Sequence, residues 1–180
     1  MASSTPRRLR YQVVMSLDGF IAGPKGEADW IPMDPDIDFA AHFAQFDTLV
    51  LGRKTFVGMA GEGSLADGKL FGKETVVVSR TLSPASYPGL AIVKDDVAKA
   101  INALKAKPGK DIWLFGGGEL FRSLADLGVV DTVEVVVAPI LLGAGLPLYP
   151  GPAGTHQLKL SSHRVFEKTG LMMLTYNVRR

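Results

Sequence analysis

Apolar positions along this chain follow two alternating patterns. Short runs that are almost wholly apolar recur at Tyr11 to Met15, Thr48 to Leu51, Thr75 to Val78, Leu90 to Val93 and Ile112 to Phe115. Runs of that length predict strands covered on both faces, as in a parallel sheet. Between them lie amphipathic segments. Pro35-Asp36 opens one in which Phe39, Phe43 and Phe46 recur at helical spacing. Asp95 or Asp96 can cap a second, which carries Val97, Ile101 and Leu104 on one face and ends at Pro108-Gly109. Leu120, Phe121, Leu124 and Leu127 form a third stripe, closed by Gly128 in the C′ position.

The last third changes character. Asp131 to Ala138 reads as a long strand, and Gln157 to Lys168 and Leu171 to Val178 as two more with no helix between them. Thr169-Gly170 sits at a tight hairpin turn. Strands interleaved with helices predict parallel βαβ units. The whole reads as one α/β domain with a mixed, mainly parallel sheet and a C-terminal antiparallel hairpin. Its 180 residues suffice for one core and are short for two. Residues 1–9 read as a flexible tail ahead of a single domain over 10–180.

Composition removes whole classes of function. Apolar residues make up 47% and charged residues 21%, with a formal charge of only +2. No basic block exceeds Arg7-Arg8-Leu9-Arg10, which argues against nucleic acid or a charged membrane surface as a partner. No apolar run approaches the roughly 20 residues of a membrane span. The absence of cysteine removes disulfides, thiolate metal sites and cysteine nucleophiles, and suits a reducing cytoplasm. His42, His156 and His163 stand without i+4 partners, so no metal site is expected.

Candidate chemistry sits where strands end. Gly116-Gly117-Gly118 follows the fifth strand and opens a helix, whose free N–H groups favour phosphate. In Leu51-Gly52-Arg53-Lys54-Thr55-Phe56, Gly52 supplies a turn, Thr55 can cap or open a helix, and the Arg53 guanidinium matches a phosphate in two-point geometry. Ser79-Arg80-Thr81 adds a third hydroxyl and guanidinium at a strand end. Each turn alone reads equally as a plain connection or a pair of solvated charges. Together, after the carboxyl ends of parallel strands, they mark the edge along which open α/β sheets bind ligands. Asp18, Asp29, Asp34, Asp36 and Asp38 cluster early, near Trp30 and Phe39, and any one could hold a heterocycle edge or relay a proton.

In order, Ser16-Leu17-Asp18-Gly19-Phe20-Ile21-Ala22, Leu51-Gly52-Arg53-Lys54-Thr55-Phe56, Val77-Val78-Ser79-Arg80 and Phe115-Gly116-Gly117-Gly118-Glu119-Leu120 resemble the dihydrofolate reductase superfamily. More closely, the chain is similar to stand-alone relatives of the C-terminal reductase domain of the bifunctional riboflavin biosynthesis protein. Ala138-Pro139-Ile140-Leu141-Leu142-Gly143-Ala144-Gly145 belongs with that branch. The resemblance runs from about Arg10 to Val178. It implies a dihydrofolate reductase-like three-layer fold with a sheet of about eight strands, and NADPH across its edge. Gly52, Arg53, Lys54 and Thr55 would hold the 2′-phosphate and pyrophosphate, and Val78, Ser79 and Arg80 the adenosine side. Phe115, Gly116, Gly117, Gly118, Glu119, Leu120 and Phe121 would continue the pyrophosphate site, with a cis peptide between Gly116 and Gly117. Ala22 would lie against the nicotinamide.

The substrate half carries over less fully. The riboflavin reductases typically have Gly-x-Gly-Thr and an Asp-Asp-Pro run, where this chain has Gly52-Arg53-Lys54-Thr55 and then Val57-Gly58-Met59-Ala60-Gly61-Glu62-Gly63. Asp36 and Asp38 compete for the acidic residue of the first helix in folate reductases, and Asp38 is preferred as lying further inside the helical pattern. Asp18, Trp30, Phe56 and Leu142 are the expected substrate neighbours. The expectation is therefore hydride transfer from NADPH to a small heterocyclic substrate, nearest to 5-amino-6-(5-phosphoribosylamino)uracil reduction. Dihydrofolate reduction, or NADPH binding without turnover, stands as the alternative. Val133, Val135, Val137 and Phe166 fit either core strands or the homodimer face that the riboflavin branch suggests.

Overall fold

A computed structural model describes residues 6–60 and 68–179. Along the chain the elements are β1 (Leu9–Ser16), β2 (Phe20–Ala22), α1 (Phe39–Phe43), β3 (Phe46–Gly52), α2 (Arg53–Ala60), β4 (Lys69–Leu70), β5 (Lys73–Val78), β6 (Ala91–Val93) and α3 (Val97–Ala106). They continue as β7 (Asp111–Gly116), α4 (Gly118–Asp126), β8 (Thr132–Ala138), β9 (Leu146–Pro147), β10 (Leu158–Phe166) and β11 (Leu171–Val178).

One nine-stranded sheet runs in the order β10-β11-β8-β1-β7-β3-β5-β4, with β6 beside the carboxyl half of β5. The strands from β8 through β1, β7 and β3 to β5 and β6 are parallel, while β10, β11 and β4 run antiparallel to their neighbours. This is the mixed α/β architecture that the residue pattern predicts. β2 and β9 pair only with each other, as a separate two-stranded ribbon.

Strand alternation fixes the layers, because successive side chains point to opposite faces. Leu9 and Tyr11 of β1 face α3 and α4, and pack with Ile101, Phe121 and Leu124. Val133 and Val135 of β8 join that core, and Phe166 is buried with Ala138 and Leu171 in a smaller cluster. On the opposite face Phe46, Leu49, Leu51 and Trp113 pack against Phe56 of α2. Helix α4 ends as its glycine predicts. Gly128 takes φ +68°, its N–H donates to Ala125 O at 2.9 Å, and Val129 N–H donates to Leu124 O at 3.2 Å, a Schellman closure.

Four expectations change. The tail expected over residues 1–9 is anchored at its described end: Arg7 is buried and bonds to Asp47, Thr48 and the Lys110 carbonyl, and Leu9 begins the central strand. Residues 1–5 lie outside the described residues. Phe46 continues the helical spacing of Phe39 and Phe43 yet opens β3, where its burial in the sheet core outweighs the spacing. Thr55 neither caps nor opens a helix, since α2 starts directly at Arg53. Asp96 precedes α3 in a left-handed conformation, φ 48°, with no side-chain cap.

Candidate active site at the carboxyl edge of the sheet

Parallel pairing brings Gly52, Val78, Val93 and Gly116 to one edge. A cavity of about 630 Å³ opens there, within the range of small-molecule sites. Gly52, Arg53, Lys54 and Thr55 line it from β3 and α2, and Val78, Ser79 and Arg80 from the end of β5. Gly117, Gly118, Glu119 and Leu120 line it from the start of α4. Eleven of the fifteen residues assigned to a cofactor from sequence thus surround one space.

Each turn has a local reason for its shape. The Ser79 hydroxyl oxygen accepts from Thr81 N–H at 3.2 Å and Leu82 N–H at 3.0 Å, which closes the loop that carries Arg80. Gly116 takes φ +127°, a conformation that side chains disfavour, and a cis peptide joins it to Gly117. Gly117 is the N-cap of α4 and offers no side-chain acceptor, so the first N–H groups of the helix face the cavity without an internal partner. A Cβ on Gly118 would stand 2.5 Å from the Pro147 carbonyl oxygen and 2.9 Å from that of Leu148. Only glycine lets that stretch lie so close to the helix.

The electrostatics favour an anion. Lys54 Nζ lies 3.5 Å from Glu119 Oε2, both largely exposed. Arg53, Arg80 and Lys94 also line the cavity, and none of the three meets an acceptor among the described residues. Three cations and a helix N-terminus around one space have the charge and the hydrogen-bond donors that suit an anion such as phosphate.

Other assigned residues lie elsewhere. Phe121 belongs to the core, stacked on Tyr11 with ring centroids 3.9 Å apart. Phe115 packs against Trp113 on the other face of the sheet, and Ala22 lies in the β2–β9 ribbon opposite Leu146. The expected substrate pocket of Trp30, Asp38, Phe56 and Leu142 does not assemble around the cavity. Phe56 is wholly buried beneath Tyr87. Trp30 packs on the cluster of Ala138, Phe166 and Leu171 and donates its indole N–H to the Glu27 carbonyl at 3.1 Å. Asp38 is the N-cap of α1, its Oδ1 accepting from Ala41 N–H at 2.9 Å, so it precedes the helix instead of lying inside it.

Asp18 has a structural task. Its carboxylate accepts from the Ser16 hydroxyl at 2.6 Å and from the backbone N–H groups of Leu142 and Gly143 at 3.1 and 2.7 Å. The Ser16 bond, helped by those two N–H groups, holds its carboxyl below the usual range. Asp18 therefore fixes the 139–145 loop. Asp34 accepts from the Thr169 hydroxyl at 2.6 Å, and Asp36 pairs with Lys168 at 2.7 Å.

The sequence reading missed Ile21, Lys94, Leu146, Pro147 and Pro150, which also line the cavity. Lys94 had a usable signal, since it directly follows a strand at the same edge. The two prolines had none, because only the tertiary fold brings them back to α4.

The profile of the RibD C-terminal domain family matches residues 7–171. The chain belongs to the RibD C-terminal domain family. The chain is 34% identical to the Bacillus subtilis (strain 168) uncharacterized protein YyaP over 180 residues, covering 95% of each. A second B. subtilis relative, the uncharacterized protein YwjB, is 29% identical over 165 residues, 89% of this chain and 92% of its own. A candidate riboflavin biosynthesis protein of Shewanella sp. PV-4 superposes with TM-score 0.78 at 27% identity, over 96% of this chain and 99% of that one. Dihydrofolate reductase from Enterococcus faecalis, crystallised with NADP(H), superposes with TM-score 0.66 at 19% identity, over 96% and 97% of the two chains. The fold of this RibD C-terminal domain protein is dihydrofolate reductase-like.

Proposed function

We propose that the protein is an NADPH-dependent reductase of a small heterocyclic substrate, nearest in kind to 5-amino-6-(5-phosphoribosylamino)uracil reduction. The observation that carries this reading is the cavity edged by Arg53, Arg80 and Lys94 beside the open N-terminus of α4. A dinucleotide with an additional phosphate needs such a set: fixed N–H groups for the pyrophosphate and guanidinium or ammonium groups for the extra charge. The donor set fits the group. Gly117 and Gly118 let the phosphates approach the backbone, and Arg53, Arg80 and Lys94 neutralise them. Bound there, NADPH would supply the hydride.

The chain's own contribution is positioning. The β2–β9 ribbon and the 146–150 stretch border the cavity with Ile21, Leu146, Pro147 and Pro150, an apolar wall that excludes water from a flat ring. Among the described residues that line the cavity, Glu119 is the sole carboxylate, and it lies beside Lys54. The proton that accompanies the hydride then comes from water. Folate reduction is less favoured, because Asp38, its preferred proton relay, is committed to capping α1.

Titration of the purified protein with NADPH, followed by nicotinamide fluorescence or calorimetry, tests the cofactor half. Saturable binding at micromolar concentration, stronger than for NADH, is expected. A folded protein that binds neither nucleotide would overturn the proposal. Steady-state oxidation of NADPH with the phosphoribosylaminouracil and with dihydrofolate separates the two substrates.

A further inference from the structure

One wall of the cavity is a single stretch of chain that is strapped along α4. Its contacts fall on one stripe of that helix, spaced by about a turn. At the first turn, the Pro147 and Leu148 carbonyls and Pro150 close on Gly118. One turn on, the Tyr149 ring meets the edge of Phe121 at 5.5 Å, and Arg122 Nη1 donates to the Pro152 carbonyl at 2.8 Å. At the last turn, one oxygen of Asp126 gathers three partners: Tyr149 OH at 3.1 Å, Gly154 N–H at 3.2 Å and His156 Nε2 at 2.9 Å. The other end of the wall is tied as well, since Leu148 N–H donates to the Gly19 carbonyl at 2.9 Å and Asp18 holds the 142–143 backbone.

These ties bear on the site because Pro147 and Pro150 both line the cavity: Pro147 is held in β9 by its pairing with Phe20 of β2, whereas Pro150 lies beyond that pairing, in the stretch that the α4 ties secure. Between Leu148 and His156 the described hydrogen bonds of the stretch to the rest of the protein run to α4, at Arg122 and Asp126. The spacing between the Pro150 part of the wall and the first turn of α4 is therefore set in part further along the same helix.

We infer that Asp126 is a positioning residue for the cavity: by holding Tyr149, Gly154 and His156 it keeps Pro150 against Gly118 and so limits the width of the nucleotide site at that wall. The inference deepens the NADPH reading and rests on it. A carboxylate about two helical turns from Gly118 lies outside the cavity lining, yet it governs how tightly a ligand there is enclosed.

The test is NADPH titration of the full-length protein and its Asp126→Ala, Asp126→Asn and Tyr149→Phe variants, with amide hydrogen exchange on each. Asp126→Ala is expected to weaken NADPH about tenfold, the equivalent of one lost hydrogen-bond cluster, and to speed exchange across 147–156 while the sheet amides stay protected. Asp126→Asn keeps an acceptor oxygen and should bind within about threefold of the wild type. Tyr149→Phe keeps the ring and loses one bond, for a weakening of about two- to threefold. A folded Asp126→Ala protein with a loosened strap and unchanged affinity overturns the inference, as does an Asn variant as weak as Ala. Should Asp126→Ala fail to fold, unchanged affinity in Tyr149→Phe overturns it alone. A wild type that does not bind NADPH removes the functional reading first, and this inference falls with it; wild-type binding that the variants leave untouched removes the inference alone.

Discussion

At the amino ends of the strands, Arg7, Arg10 and Lys105 are largely buried and each meets a carboxylate. At the carboxyl ends, Arg53, Arg80 and Lys94 surround a cavity and meet none among the described residues. Arg10 shows the first arrangement at its fullest: Nε and Nη2 reach the two oxygens of Glu134 at 2.5 and 2.8 Å, and Nη1 reaches Gln45 at 2.9 Å and Asp111 at 3.3 Å. Gln12 also donates to Glu134. A buried cation without such partners costs several kcal/mol, so these ion pairs hold the fold. The cavity cations are wet, and can stay unpaired until a ligand arrives. The same residue types thus serve stability at one end and, on the proposed function, binding at the other.

The sharpest way to break that contrast is Glu134→Ala, which takes from the buried Arg10 the carboxylate that meets it at two points and leaves Gln45 and the longer contact to Asp111. Removal of one partner of a buried pair costs about 3–5 kcal/mol. The urea midpoint should fall accordingly, with NADPH affinity retained in the protein that remains folded. Arg53→Ala should do the reverse. A charged hydrogen bond is worth about 1.5–3 kcal/mol, so NADPH binding is expected to weaken roughly 10- to 100-fold by calorimetry while the melting temperature stays put. Lys94→Ala extends the same logic to the residue found only in the structure, with about a three- to tenfold loss for NADPH and less for NADH. Asp38→Ala removes a helix cap, at about 0.5–2 kcal/mol, and should leave NADPH affinity unchanged. Loss of binding there would return Asp38 to the site.

The smallest effect is a pH dependence at the amino end. Burial works against the Asp111 carboxylate, but bonds from the Arg8 backbone and guanidinium, and from Arg10, outweigh it and hold the group below its ordinary value of 3.8. A carboxylate depressed in the folded state stabilises above that ordinary value, and the contribution is lost as pH falls through the lower folded value. Stability should therefore decline below about pH 4, and Asp111→Asn should flatten that part of the curve.

Local chemistry was legible where it determines structure alone. Leu171–Val178 is strand as expected, and Gly128 ends α4 as its position implied. The three strand-end turns were legible as well, because glycine, hydroxyl and guanidinium at a strand end carry a local signal. What escaped depended on distant partners. Asp18 reads as a site carboxylate until Leu142 and Gly143 arrive at it from the far side of the chain. Phe56 reads as a pocket residue until α2 turns it inward. The β2–β9 ribbon is too short for periodicity to reveal, and part of the stretch after Met59, residues 61–63, lies outside the described residues.

The position of β1 sets a timetable for the molecule. This first long strand is the middle of the sheet, and the strands on either side of it begin only at Asp111 and Thr132. A chain leaving the ribosome therefore carries an apolar strand without neighbours until about two-thirds of it has been made, and contacts this distant in sequence form slowly. A fragment ending at Asp126 would contain Arg53, Arg80, Lys94 and the glycine turn, yet lack β8, β11 and the far wall of the cavity. The cavity is thus completed late, with the last third of the polypeptide.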